Sequence, residues 1–172
     1  MSVYTGSGDK GKVRYPFGQL DKFHPFVELL GHIDEVGANI GMLMTQLGDF
    51  PQVKVQCSEI LKDLYAISAD LSMDKVNEYF DLRRYKLLEQ WIDEMEKALP
   101  PFRRLIMPIG HRATCQAHIT RSVVRRAERK YFEVLSQMKI SEDAAVYLNR
   151  LSDYFFTVAR LVNDHYGIDA SY

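Results

Sequence analysis

The sequence of 172 residues predicts an all-α protein built as a bundle of five helices. Two observations favour this fold class. Apolar residues recur every three or four positions over five long stretches, and no stretch shows the alternation and hairpin turns that are typical of strands. We therefore expect strands to be absent. We also expect a single domain over residues 1–172, with an irregular, Gly-rich segment at 1–23 and the bundle at 24–167.

The first three predicted helices are separated by proline. The first carries apolar residues from Phe26 to Leu47, and Pro51 opens the second. Pro100 and Pro101 end the third, because a helix interior does not accommodate proline. The apolar positions are Phe26, Leu30, Ile33, Val36 or Gly37, Ile40, Met44 and Leu47 in the first helix, Val53, Cys57, Ile60, Leu64, Ile67 and Leu71 in the second, and Leu82, Tyr85, Leu88, Trp91 or Ile92, Met95 and Leu99 in the third.

The last two helices are marked by their ends. The fourth is predicted over about Thr114–Met138 from the spacing of its apolar residues. Ser141 is a suitable N-cap for the fifth, with two acidic residues in the first turn, and Gly167 is a suitable stop. The apolar positions are Ala117, Thr120, Val124, Ala127, Tyr131, Leu135 and Met138 in the fourth helix, and Leu148, Leu151, Phe155, Val158, Ala159 and Val162 in the fifth.

The charge is balanced overall but uneven along the chain. There are 22 basic and 23 acidic residues, and a net charge of −1 argues against a protein built to bind nucleic acid or a membrane surface. Residues 103–130 nevertheless hold eight basic residues and one acid, a net charge of +7, so the rest of the chain carries −8. The seven cations from Arg103 to Arg129 are all arginine, which suits bidentate binding of phosphate. The alternative is an ordinary solvated basic helix face.

The segment Tyr4–Lys12 is a second candidate for anion binding. Its three glycines allow successive backbone N–H groups to turn toward one anion, and Lys10 and Lys12 add positive charge. It is not a P-loop, because Lys10 is followed by glycine and no strand precedes it. A flexible basic tail is the alternative.

Other polar residues give weaker indications. Asp34 falls on the first apolar-patterned helix, where burial would require a cation, and Arg121 is the expected partner. Asn149 and Asp153 share one face of the fifth helix. None of the five histidines belongs to a Glu-x-x-His motif, so a di-iron site is not indicated. Cys57 and Cys115 fit reduced thiols of a cytoplasmic protein.

Four motifs, taken together, resemble the PduO-type ATP:cob(I)alamin adenosyltransferases. They are Y-T-x-x-G-D-K-G at residues 4–11, G-x-I-D-E at 31–35, R-x-V-x-R-R-A-E-R at 121–129 and Y-L-N-R-L-S-D-Y at 147–154. The resemblance implies a five-helix bundle with ferritin-like up-down packing that assembles as a homotrimer, with active sites between subunits. It also implies transfer of the 5′-deoxyadenosyl group of ATP to reduced cobalamin, with release of triphosphate and with Mg²⁺ on the phosphates.

The resemblance also implies roles for individual residues. Asp34 and Arg121 match a family salt bridge near the corrinoid, and Leu105 matches a phenylalanine that packs near the lower face of cobalamin. Arg125 and Glu128 belong to the nucleotide site with Asn149, and Mg²⁺ is expected near Glu128 and Asn149. The remaining implied contacts with ATP are Thr5, Gly6, Ser7, Gly8, Asp9, Lys10, Gly11, Lys22, Arg126 and Arg129.

The sequence departs from the family pattern before the fourth helix and in the N-terminal segment. Leu105 lacks the ring of the family phenylalanine, Ile109 stands where the family commonly has glycine, and Val13 replaces a usual threonine. These departures motivate one alternative function, a catalytically weak relative that carries or regulates ATP or corrinoid. A second alternative is a helical module whose arginines dock an acidic partner. For the enzyme, a reductase or an adenosylcobalamin-dependent enzyme is a possible partner.

Overall fold

The computed structural model describes residues 4–81, 83–101 and 104–172, and within them it confirms the five-helix bundle. Leu82 of the third apolar pattern and Arg103 of the basic segment lie outside the described residues. The helices are α1 (Pro25–Met44), α2 (Pro51–Ser72), α3 (Arg84–Ala98), α4 (Arg112–Leu135) and α5 (Glu142–His165). Helix α4 packs against both α1 and α5, while α2 packs on α1 and α3 packs on α5.

Side chains satisfy the free backbone N–H groups at three helix starts. His24 stands one residue before Pro25, at which α1 begins. Its Nδ1 accepts a hydrogen bond from the Phe26 N–H at 3.1 Å. The Ser141 Oγ accepts from the Ala144 N–H at 3.3 Å, and α5 is followed by Gly167 with φ 63°. The predicted cap and stop of α5 are therefore confirmed.

The prediction that strands are absent and that residues 1–23 are irregular is wrong for residues 12–21. Strand β1 (Lys12–Tyr15) pairs with antiparallel strand β2 (Gly18–Asp21), and Tyr15 stands opposite Gly18. Each strand has four residues, too few for alternation to stand out. Tyr15 and Phe17 stack on each other and meet the buried Phe26 edge-on. Aromatic packing on α1 thus supports a hairpin that would be marginal alone.

The accuracy of the predicted core positions differs between helices. All six of the α2 positions are buried as expected. In α1 the buried residues include Leu29 and Leu43, whereas the predicted Leu30 and Met44 are only half-buried. A wide apolar stripe contains several adjacent residues, so the sequence does not decide which of two neighbours faces the centre.

A buried carboxylate joins three helices near the start of α5. Asp63 on α2 accepts hydrogen bonds from the Arg84 Nε of α3 at 2.7 Å and from the Tyr147 hydroxyl of α5 at 2.8 Å. Burial raises the pKa of Asp63, while the hydrogen bonds from Arg84 and Tyr147 lower it. This contact fixes α5 two residues before Asn149, which belongs to the candidate site.

We expect Asp63→Ala to lower the free energy of unfolding by about 2–4 kcal/mol, because it leaves a buried hydroxyl and a guanidinium unpaired. Urea denaturation monitored by circular dichroism measures this loss. Asp93→Ala, at an exposed position of α3, is the matched control and should change stability by less than about 0.5 kcal/mol. Equal losses in the two variants would contradict the assigned role of Asp63.

Candidate functional site

The five cations of α4 from Arg121 to Lys130 divide into two groups, of which the first faces α1. Arg126 forms an ion pair with Glu35, and the Lys130 Nζ lies 2.8 Å from the Glu28 Oε2. The hydrogen bond from Arg126 lowers the pKa of Glu35. These two cations are therefore neutralised by α1, although the resemblance placed Arg126 at the nucleotide.

The second group is a stripe of three arginines at intervals of four residues: Arg121, Arg125 and Arg129. Arg125 and Arg129 are exposed, and within the described residues neither forms an ion pair. The Arg121 guanidinium carbon lies 5.5 Å from the centre of the Phe156 ring on α5, in a cation–π contact. We call these three residues the arginine stripe. It is a row of positive charge without carboxylate partners in the described protomer.

A polar pair borders the arginine stripe on the α5 side. The Asn149 Nδ2 donates a hydrogen bond of 2.7 Å to the Glu128 Oε1, and the Asn149 Oδ1 accepts one of 3.3 Å from the Arg150 Nη1. Asn149 and Glu128 are thus brought together from different helices. Glu128 lies three residues from Arg125 on α4, but its hydrogen-bond partner is the Asn149 amide.

The Gly-rich N-terminal loop is folded into consecutive turns. The Asp9 N–H donates to the Gly6 carbonyl at 3.2 Å, and the Gly11 N–H donates to the Gly8 carbonyl at 3.1 Å. Gly6 and Gly11 have φ values of 69° and 72°, which only glycine adopts readily.

Lys22 lies over this loop, and the Thr5 hydroxyl meets that of Ser7. A Cβ atom at Gly8 would lie 2.9 Å from the Lys22 Nζ, so the ammonium sits directly on the glycine. The Thr5 Oγ1 and the Ser7 Oγ are 2.8 Å apart. Lys10 is exposed beside them. Across the described chain, no hydrogen bond or ion pair joins residues 4–11 to α4.

Within the described protomer, Asp34 does not pair with Arg121, the partner expected from the sequence. Asp34 is exposed, and no ion pair joins it to any described residue. Its neighbour Glu35 faces α4, whereas Asp34 lines a groove of about 560 Å³ between α1 and α2. The other groove residues are Leu30, Ile33, Gly37, Ala38, Leu61, Leu64, Tyr65, Ser68 and Ser72.

The segment before α4 carries Leu105, whose side chain is 77% exposed. A cleft of about 370 Å³ adjoins this segment and is lined by residues that include Arg104, Ile106, Asn163 and Ser171. Asn163 is buried and hydrogen-bonds the loop on both sides of Gly110. No local sequence pattern marks Asn163, because its partners on the loop are 52 and 54 residues away in the chain.

His118 lies one turn before Arg121 and near the same aromatic ring. Its ring centre is 6.3 Å from that of Phe156, and within the described residues its buried Nε2 has no hydrogen-bond partner. Burial, and secondly the charge of Arg121, lower the pKa of His118. The side chain is therefore neutral at pH 7 and does not add to the positive charge of α4.

The family model of cobalamin adenosyltransferase matches residues 3–162, most of the chain. The chain belongs to the cobalamin adenosyltransferase family. It is 35% identical over 173 residues to a corrinoid adenosyltransferase of Bacillus subtilis, with 98% of this chain and 90% of that protein covered. It is 34% identical over 163 residues to a cobalamin adenosyltransferase of Cupriavidus metallidurans, with 94% and 88% covered.

Solved structures of this family have the same fold. A variant PduO-type ATP:corrinoid adenosyltransferase from Lactobacillus reuteri, complexed with cobalamin and ATP, matches with a TM-score of 0.91 and 29% identity, over 99% of this chain and 96% of that one. An arginine-to-lysine variant of the Lactobacillus reuteri enzyme, complexed with ATP, matches with a TM-score of 0.90 and 30% identity, over 99% of both chains.

In the part of the chain that the structure describes, no helix is both long enough and apolar enough to cross a membrane. The same part of the chain contains no group of three or more histidine, cysteine, aspartate or glutamate side chains placed to hold a metal ion.

Proposed function

We propose that the protein transfers the 5′-deoxyadenosyl group of ATP to the cobalt of cob(I)alamin, giving adenosylcobalamin and triphosphate. Membership of the family supports this reaction. Within the structure, the observation that carries it is the arginine stripe: Arg121, Arg125 and Arg129 project from one helix without carboxylate partners among the described residues. A triphosphate would supply the missing negative charge.

The protein's residues suit a reaction in which the two substrates supply both the nucleophile and the leaving group. Cobalt(I) supplies the electron pair that forms the Co–C5′ bond, and the C5′–O bond breaks so that its electrons leave with triphosphate. No activated serine or cysteine is required of the protein. Its task is to hold the ribose against the cobalt and to stabilise charge that grows on the leaving group. Arg125 and Arg129 are placed for the second part of that task.

We assign the N-terminal loop to ATP as well. The loop turns at Gly6, Gly8 and Gly11, and the Lys22 ammonium over Gly8 gives it a positive charge that suits a phosphate. The hydroxyls of Thr5 and Ser7, with Asp9 and Lys10, complete this part of the proposed site.

Mg²⁺ is assigned beside Glu128 and Asn149. The Glu128 carboxylate accepts a hydrogen bond from the Asn149 amide nitrogen there, and a carboxylate oxygen suits a hard cation. Mg²⁺ commonly keeps several waters and binds through substrate phosphates with one or two protein groups. When bound, the ion would neutralise charge on the triphosphate.

We further propose that the active enzyme is a homotrimer with sites between subunits, in the cytoplasm. The N-terminal loop and α4 share no hydrogen bond or ion pair within the described protomer, so two copies would be needed to close one site. Asp34 lies in the α1–α2 groove and forms no ion pair with Arg121 in the described protomer, so we propose that the two residues pair across an interface. Free Cys57 and Cys115 fit a reducing compartment.

Anaerobic incubation with MgATP and chemically reduced cobalamin tests the reaction directly, because adenosylcobalamin has its own absorption spectrum. We expect the wild-type protein to form this product and Arg125→Ala to lower kcat/KM by about 100-fold or more. Arg83→Ala, an exposed arginine beside Asp81, is the control and should retain activity. ATP binding without product would favour the carrier function, and binding of neither substrate would favour the interaction module.

Gly8→Ala tests the N-terminal loop. The added Cβ would collide with the end of the Lys22 side chain, which can move away at little cost to folding. We therefore expect an unchanged melting temperature and a dissociation constant for MgATP raised roughly fivefold, measured by isothermal titration calorimetry. Gly48→Ala has open space around its Cβ and should bind like wild type. Normal affinity in Gly8→Ala would remove the loop from the site.

Charge reversal tests the proposed pair between subunits. Asp34→Arg would place two cations together at each interface, so we expect sedimentation velocity to show smaller species than for wild type. Adding Arg121→Asp to the same chain restores opposite charges and should restore the larger assembly. A trimer that survives Asp34→Arg, or a double variant no better than the single one, would refute the pairing.

A further inference from the structure

The loop between α3 and α4 is held at one end by a short backbone ladder. The Met107 N–H donates to the Ala170 carbonyl at 2.9 Å, and the Tyr172 N–H donates to the Leu105 carbonyl at 2.9 Å. Ile106 and Ser171 form the antiparallel bridge between these two bonds. Residues 105–107 therefore run beside residues 170–172 as a two-stranded pair.

The other end of the loop is held by one buried side chain. The Asn163 Nδ2 donates to the Ile109 carbonyl at 3.0 Å, while its Oδ1 accepts from the Thr114 hydroxyl at 2.7 Å and from the His111 N–H at 3.3 Å. Asn163 is 5% exposed, so these bonds are made out of water, where a lost partner is costly. Its own carbonyl accepts from the Ile168 N–H at 2.9 Å, which links it to the segment that ends in the ladder.

Gly110 shows how closely the loop rests on this amide. It has a φ of 128°, and a Cβ atom there would lie 2.2 Å from the Asn163 Oδ1. The backbone at 109–111 is therefore in direct contact with Asn163. Leu105, by contrast, is 77% exposed, so packing of its own side chain does little to fix its position. Its location follows from where the ladder and Asn163 hold the backbone.

We propose that Asn163 is a positioning residue for the corrinoid, acting through the loop that carries Leu105. The inference rests on the proposed function and on the resemblance, by which Leu105 matches a phenylalanine that packs near the lower face of cobalamin and helps to displace its axial base. An exposed leucine can do the same only if its backbone is fixed, because no neighbouring side chains enclose it. Loosening the loop would then impair corrinoid handling and spare ATP, whose proposed contacts lie on other segments.

The test compares Asn163→Ala with wild type in steady-state kinetics with both substrates. We expect KM for cobalamin to rise about tenfold, as for loss of a buried hydrogen bond worth roughly 1.4 kcal/mol, and KM for ATP to stay within about twofold. The electron paramagnetic resonance spectrum of bound cob(II)alamin should show less displacement of the axial base. Asn39→Ala removes an asparagine that bonds Gln116 between α1 and α4, and it should leave both KM values unchanged.

A double-variant cycle separates positioning from general loss of structure. If Asn163 acts through Leu105, its substitution should change cobalamin KM little in a Leu105→Ala background. Additive effects, or equal increases in KM for cobalamin and ATP, would overturn the proposal. Deleting Ser171 and Tyr172 breaks the ladder without touching the core, so it provides a second variant in case Asn163→Ala does not fold. That deletion should also affect cobalamin alone, and unchanged kinetics would count against the proposal.

Two further results separate this inference from the proposed function. Wild-type protein that forms no adenosylcobalamin would refute the proposed function and the inference with it. Active wild-type protein with an unaffected Asn163→Ala variant would refute the inference alone. Leu105→Phe adds a ring at the same backbone position, and an equal or lower KM for cobalamin would support the placement of this residue at the corrinoid. A large increase would count against it.

Discussion

The site depends on an incomplete neutralisation of charge along α4. Helix α1 supplies Glu28 and Glu35, which pair with Lys130 and Arg126, and these contacts hold the two helices together. The arginine stripe receives no such partner among the described residues. Repulsion between cations four residues apart costs some helix stability, and an anionic substrate would relieve it. The same contacts that dock α4 on α1 thus leave its other side available for phosphate.

This division of the α4 cations explains why the proposed reaction needs so few conventional catalytic residues. The described residues contain no cluster of potential metal ligands, and the proposed nucleophile is the corrinoid itself. His118, one turn before Arg121 on α4, is kept neutral by burial and by Arg121. The positive field is therefore supplied by guanidinium groups, which stay charged across the physiological range. Such groups stabilise a triphosphate leaving group without any proton transfer by the protein.

The sequence predicted the helices well because their signals are local. Apolar spacing, Pro51 and the Ser141 cap all act within a few residues, and α2 was placed correctly at every core position. The hairpin was missed because its stability comes from Tyr15 and Phe17 packing on Phe26, a contact between separate elements. Asn163 was missed for the same reason. The family motifs predict Arg125 and Asn149 as site residues, whereas the partners of Asn149 and Arg126 required three-dimensional placement.

Ile109 stands where the family commonly has glycine, and the loop accommodates this substitution next to the contact between Gly110 and Asn163. Among the described residues outside glycine, positive φ values occur only at Asp74 and Asn77, so Ile109 has an ordinary backbone conformation and suffers no strain. Its contribution to the loop is a carbonyl oxygen bonded to Asn163, which any residue provides. Gly110, one position later, cannot be substituted in this way, because its φ and its contact with Asn163 both exclude a side chain. Position 109 is therefore open to substitution, whereas position 110 requires glycine as long as Asn163 holds the loop.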